Sequence, residues 1–264
     1  MYEYVDGWEN KTALVLTDKW NISKRLSVDL GARMELHKLS GSYAPQEARA
    51  DGMLIRENFK KLDDTYLNLG ADVSAVWKAG RNFGFLLNGG ILEKSPELSN
   101  YSSGEETSLE KSVITNGGIG IYYNNPFFNV ISKGTYIKKS NFVSIQTFNA
   151  PHDMALTSKQ RSVYDIETLG WTTDVISNPF PGFEFHFMFT MQMPRYKNYE
   201  GEVSFSDGYR YAFNFEDKTV DGISKYLLEF DPSYTFLKKK VKVWASARYF
   251  SKQYANKSNT LTFA

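Results

Sequence analysis

The chain has 264 residues, 31 Lys+Arg against 30 Asp+Glu, no Cys, and an aromatic content of 16%. So balanced a charge leaves no cationic excess to neutralise phosphates, which removes nucleic acid from the expected partners. The absence of Cys excludes disulfides and thiolate metal sites without selecting a compartment.

No segment approaches the run of about 18 apolar residues that a transmembrane helix requires. "MYEYVDGWEN" has neither the basic nor the apolar region of a signal peptide. Hydropathy alone would make the chain soluble, but membrane barrels alternate apolar and polar residues and average out as hydrophilic.

In chain order, "TALVLTDKW" (12–20) is the first predicted strand. It leads through "NISK" into "RLSVDLGARMEL" (25–36). There Leu26, Val28, Leu30, Ala32, Met34 and Leu36 alternate without exception with Ser27, Asp29, Gly31, Arg33 and Glu35. That is a period-2 signal, and it outlasts the usual strand of about 5–6 residues. "YLNLGADVSAVW" (66–77) repeats it, with Leu67, Leu69, Val73 and Trp77 opposite Asn68, Gly70, Asp72 and Ser74. "NFGFLLNGGIL" (82–92), "SVITNGGIGIYY" (112–123) and the more mixed "FFNVISKGTYIKK" (127–139) follow. Then come "YDIETLGWTTDVIS" (164–177), "FEFHFMFTMQM" (183–193), "SKYLLEFDPSYTF" (224–236) and "VKVWASARYF" (241–250). These make ten predicted strands, and no stretch carries a 3.6-residue stripe.

Short and long connections alternate along the chain. The short ones are "NISK", "AGR", "NNP", "NPFPG" and "LKKK", all of hairpin size. The long ones are expected at about 39–65, 94–110, 140–163 and 194–223. Within the last, "GEVSFSDGYRYAFNF" (201–215) reads as a separate hairpin turning at "SDG". An outer-membrane barrel is organised in this way, with tight periplasmic turns and long extracellular loops. Residues 26–36 extend roughly 36 Å, which at a tilt of about 40° spans roughly 28 Å, near the apolar band of about 25 Å. The even side of that strand is therefore expected to face lipid and the odd side a watery lumen, with Asp29, Arg33, Glu35 and Asp72 facing inward. Trp20, Trp77, Tyr122, Tyr123, Phe127, Phe128, Phe180, Phe183 and Phe236 flank the short turns, either as an interfacial girdle or through simple strand preference.

Three segments carry a resemblance. "LGWTTDVISNPFPGFEFHFMFTMQMPRYKNYEG" (169–201) is similar to a strand–turn–strand of TonB-dependent outer-membrane receptors. "EFDPSYTFLKKKVKVWASARYFSKQYANKSNTLTF" (229–263) resembles late barrel strands of that family, and "DKWNISKRLSVDLGARMEL" (18–36) its mid-barrel hairpin. The resemblance implies an antiparallel up-and-down transmembrane β-barrel of about 22 strands with a plugged lumen. It also implies residence in the outer membrane of a Gram-negative bacterium, with lipid, a plug domain and the TonB complex as partners. Against that pattern the chain shows no plug domain, no TonB-contacting segment and no closing strands after Phe250, so a fragment of the barrel is expected, with Met1 an internal or artificial start.

The implied function is energised import of a siderophore, cobalamin or glycan. The aromatics that could stack on such a solute are Tyr43, Tyr101, Phe142, Phe148, Tyr196, Tyr199 and Tyr209, each of which could equally pack against its own loop. A passive porin-like barrel and a soluble β-sandwich binding module are the alternatives. No catalytic constellation, metal site or cofactor motif is legible. His37, His152 and His186 are too far apart in sequence to suggest a shared metal, and "GGIGIYY" lacks the spacing and helix of a nucleotide loop.

Overall fold

The computed structural model describes residues 4–44, 49–50, 53–101, 109–238 and 240–263. Its wall is one antiparallel meander. The strands are β1 (Val5–Asn21), β2 (Leu26–Tyr43), β3 (Arg49–Ala50), β4 (Met53–Leu54), β5 (Lys60–Lys78), β6 (Phe83–Lys94), β7 (Ser112–Asn124), β8 (Phe128–Ala150) and β9 (Asp153–Phe180). They continue with β10 (Phe183–Lys197), β11 (Glu200–Ser204), β12 (Arg210–Asn214), β13 (Tyr226–Phe236), β14 (Val241–Trp244), β15 (Ala247–Phe250), β16 (Gln253–Tyr254) and β17 (Thr262–Phe263). The wall runs in the order β1-β2-β5-β6-β7-β8-β9-β10-β13, and both β14 and β15 pair with β13. β3–β4, β11–β12 and β16–β17 form separate two-stranded hairpins.

The predicted final strand, 241–250, is thus split into β14 and β15. Pro232 on β13 explains the gap. Ser233 pairs with Trp244 and Phe230 with Ala247, whereas proline has no N–H to give to the ladder. One bond survives there, from the Ala245 N–H to the Pro232 carbonyl at 3.0 Å.

Local chemistry builds the tight turns. At 125–127 the Asn125 side chain accepts the N–H groups of Phe127 and Phe128, each at 2.8 Å. Between β1 and β2, Ser23 Oγ accepts the Leu26 N–H at 3.0 Å. Between β9 and β10, Pro181 and Gly182 form the turn. Gly182 has φ +86°, and a Cβ there would lie 2.4 Å from the Thr235 carbonyl oxygen.

The register separates two faces. Leu14, Met34 and Leu69 lie on one row, and Leu16, Ala32, Ala71 and Ile91 on the next. These side chains are strongly exposed, Met34 at 48% and Leu36 at 51%. No helix or second sheet covers them among the described residues. A soluble β-sandwich covers such a face with a second sheet, and the described residues supply none. Burying so much apolar surface in hydrocarbon is the physical solution, and a continuous hydrogen-bonded ladder is what a bilayer demands of the backbone.

Above Leu36 the sense of the alternation inverts. Lys38, Ser40 and Ser42 take over the outward face, while His37, Leu39 and Tyr43 on the inward face are buried. β5 does the same, with Thr65, Asp63 and Lys61 outward and Leu62 inward. The strands therefore rise beyond the apolar band, and the expected long loops shorten accordingly. The segment 140–163, expected as a loop, is strand: β8 and β9 continue to a two-residue turn at Pro151–His152. A bulge hid this continuity. Ser140 and Asn141 stand opposite the single residue Asp165, and Asn141 takes φ 54°. One extra residue reverses which side chains face inward. Asp165 anchors the bulge, accepting the Asn141 N–H at 2.9 Å and the Asn198 side-chain amide at 2.9 Å.

One girdle assignment needs correction. Tyr122 and Tyr123 are consecutive on a strand, so they cannot share a face. Tyr123 pairs with Phe83 and is exposed, whereas Tyr122 lies inward over Gly84.

Candidate functional site

The inward face is a polar floor. Asp29, Arg33 and Glu35 alternate with the apolar series on β2. Asp72 lies across from Gly31, so close that a Cβ on the glycine would collide with its carboxylate. Arg33 and Glu35 form an ion pair with each other, and Asp29 meets Lys19 at 3.6 Å. Neighbouring strands add Asn88 and Asn116, whose side chains approach at 3.5 Å. They also add Asp174 with His186, at 3.1 Å.

Above the floor, two side-chain clusters fold the extracellular segments onto the inward face. The first buries Leu39, Tyr43, Leu62, Tyr101 and Leu109. Tyr101 ends a 3-10 turn at Leu98–Tyr101, and its hydroxyl meets that of Tyr66 at 3.2 Å. Under this cluster lies a buried polar knot. His37 Nδ1 is 2.6 Å from Ser95 Oγ, and Asn68 donates to Ser95 Oγ at 2.9 Å and to Glu35 Oε1 at 3.1 Å. Glu9 joins β1 to the same loop by accepting the Leu98 N–H at 2.5 Å. The second cluster buries Tyr164, Tyr196, Tyr199 and Phe213. Tyr164 and Tyr199 stack with ring centres 4.1 Å apart, and Tyr196 stands edge-on to both. Tyr196 donates its hydroxyl to Asp221. Burial raises the phenols of Tyr101, Tyr196 and Tyr199 above their usual range, and the Asp221 carboxylate adds to the effect at Tyr196.

Through this second cluster the β11–β12 hairpin lies against the inward face of β8 and β9. Phe148 stacks on Phe213 at 4.9 Å. The hairpin turns at residues 205–209, where Gly208 has φ 86°. At its tip Asp207 accepts the Tyr209 N–H at 3.0 Å and meets His152 Nε2, on the β8–β9 turn, at 2.7 Å. The Tyr209 ring packs on the His152 ring at 4.4 Å.

The seven aromatics picked out in the sequence thus divide into three groups. Tyr43, Tyr101, Tyr196 and Tyr199 are buried in the loop cores. Phe148 is partly buried between two of them. Phe142 and Tyr209 keep exposed ring surface. Sequence reasoning missed His37 and Tyr164. The strand that carries His37 was read only as far as its apolar alternation lasts, and Tyr164 opens a predicted strand whose partner had been read as loop. Among the described residues no group of three His, Asp or Glu side chains could hold a metal ion.

A transmembrane barrel wall with a polar lumen, tight turns at one rim and folded loops at the other is therefore the class of protein this chain represents. No family model matches the sequence, and no curated protein does so either. Solved structures do. The ferric-catecholate import receptor Fiu of E. coli K12 superposes with a TM-score of 0.64 at 13% identity, over 95% of this chain and 35% of that one. The ferric yersiniabactin uptake receptor FyuA of Yersinia pestis gives 0.63 at 11% identity, over 98% and 37%. The copper transporter OprC gives 0.68 at 11% identity, over 93% and 35%. The fold is that of the barrel wall of TonB-dependent outer-membrane receptors, and the chain spans about a third of the length of the receptors it matches.

Proposed function

We propose that the chain is the outer-membrane barrel wall of a receptor that imports a scarce solute with energy from the inner membrane, through a plug domain and the TonB complex. The observation that carries this reading is the uncovered apolar face of β1, β2, β5 and β6 set back to back with a polar, loop-capped inward face. Of the siderophore, cobalamin and glycan classes, a metal chelate has the most support, because similar structures are named for ferric catecholate and ferric yersiniabactin. In this reading Phe142 and Tyr209 offer ring surface to the solute, while Tyr43, Tyr101, Phe148, Tyr196 and Tyr199 shape the loops that carry them. Asp29, Arg33, Glu35 and Asp72 line the lumen against the plug. Neither enzymatic chemistry nor a resident cofactor is part of the proposal.

The test is uptake of radiolabelled iron chelates by cells carrying the intact receptor, with and without TonB. Accumulation that stops when TonB is deleted supports energised import. Accumulation that continues would favour the passive porin-like barrel.

A further inference from the structure

β5 and β6 separate before the apolar band ends. Their ladder stops at Gly70 opposite Leu92, although β5 extends to Lys60 and β6 to Lys94. From Leu69 to Lys60, β5 pairs with β2 alone among the described residues. Leu69 stands beside Met34 and Leu67 beside Leu36, the last outward apolar positions below Lys38. The free edge of β5 therefore begins inside the band, where an unmet backbone N–H or C=O has no water to turn to.

Two side chains take over from the missing strand. Glu93 follows Ile91 on the outward face, and its carboxylate accepts the Leu69 N–H at 3.2 Å. The Glu93 carbonyl would have done so had the antiparallel ladder continued. Lys111, the residue before β7, donates to the Leu67 carbonyl and, at 2.9 Å, to the same Glu93 carboxylate. Both side chains are partly enclosed, Lys111 at 34% and Glu93 at 31% exposure. On the inward face the seam is stitched a second time, by the bond from Asn68 on β5 to Ser95 just beyond β6. Ser95 opens the β6–β7 connection and Lys111 closes it, so the two ends of one connection grip the β5 edge from opposite faces.

We propose that Glu93 and Lys111 form a latch that holds a lateral seam of the wall shut. Glu93 supplies the acceptor and Lys111 the donor that the backbone of β6 withholds, and together they stop the β5–β6 ladder from unzipping from its open end. The role has a direction. An ordinary ion pair works either way round, and a buried one can often be replaced by apolar side chains without loss. This latch needs an acceptor at position 93 and a donor at position 111, because each also meets a backbone group of opposite kind. The inference needs the transmembrane wall but not solute import.

The test uses the intact receptor in lipid nanodiscs, with amide exchange at Leu69 and Ala71 read by mass spectrometry at single-residue resolution. The charge-swapped Glu93→Lys/Lys111→Glu variant and the apolar Glu93→Leu/Lys111→Met variant are each expected to exchange about tenfold faster there. Exchange in β9 and β10 is expected to stay as in the wild type, and Lys111→Arg, which keeps the donors, to match the wild type throughout. Should a double variant fail to reach the compact form on unheated gels, Glu93→Ala alone is read instead, with the same direction expected. Wild-type protection in the charge-swapped variant would reduce the latch to an ordinary ion pair. Wild-type protection in the apolar variant would mean that the backbone needs neither side chain. Either result would overturn the proposal.

Discussion

Tyr199 is almost wholly enclosed, at 1% exposure, and contacts Tyr164, Tyr196, Phe213 and Phe215. Truncating so large a buried ring costs about 3–5 kcal/mol in a well-packed core. Tyr199→Ala is therefore expected to release the β11–β12 hairpin, seen as faster amide exchange over residues 198–220, while the wall strands keep their protection. Asp207 gives a pH test. The Tyr209 N–H, and after it His152, hold its carboxyl below the usual carboxylate range. A depressed folded value means the tie is present above about pH 4 and lost as pH falls through the lowered value. Protection of the Tyr209 amide, relative to its intrinsic exchange rate, should fall below about pH 4, and this fall should be absent in Asp207→Asn. Neither residue's partner was legible in the sequence. Asp207 sits in a segment whose pattern says hairpin and Tyr199 just before it in a stretch read as loop, but what the hairpin packs against depends on strands distant in sequence.

The elements inside the apolar band were the legible ones. β2, β5 and β10 announce themselves because one solvent is hydrocarbon and the other water, so side-chain polarity must alternate. Above the band both faces meet water or protein, and the rule loses its cause. That is why "SNFVSIQTF" (140–148) read as loop although it is strand, a confusion deepened by the parity reversal at Asn141. The tight turns were legible for a different reason, since their backbone geometry restricts residue type. Gly182 is the clearest case. Its positive φ and the Thr235 carbonyl beside it leave no room for a side chain. Gly182→Val should cost about 2 kcal/mol or more and slow folding into detergent or lipid, measured by the appearance of the compact form on unheated gels.

At the scale of the molecule, the two faces predict opposite responses to one kind of change. Val73 is outward and exposed, deep in the band. Val73→Lys should destabilise the wall by about 2–4 kcal/mol in denaturant titrations from lipid. Asn116→Lys, on the inward face, should change stability by well under 1 kcal/mol, and the reverse ranking would refute the facing. Among the described residues two strand margins also stay without neighbours, β1 on one side and the β14–β15 pair on the other. Open margins template association, so the isolated chain is expected to aggregate without detergent, and a stable monomer by light scattering would contradict this. A last consequence follows from the exchange of polarity between Leu36 and Lys38. Shifted outward by one residue pair, the wall would bring Leu36 and Leu67 into the aqueous phase; shifted inward by the same amount, it would drag Lys38 and Thr65 into the oil. Both displacements are penalised, so the wall has a fixed draught, and membranes thinner or thicker than that depth must deform around the protein.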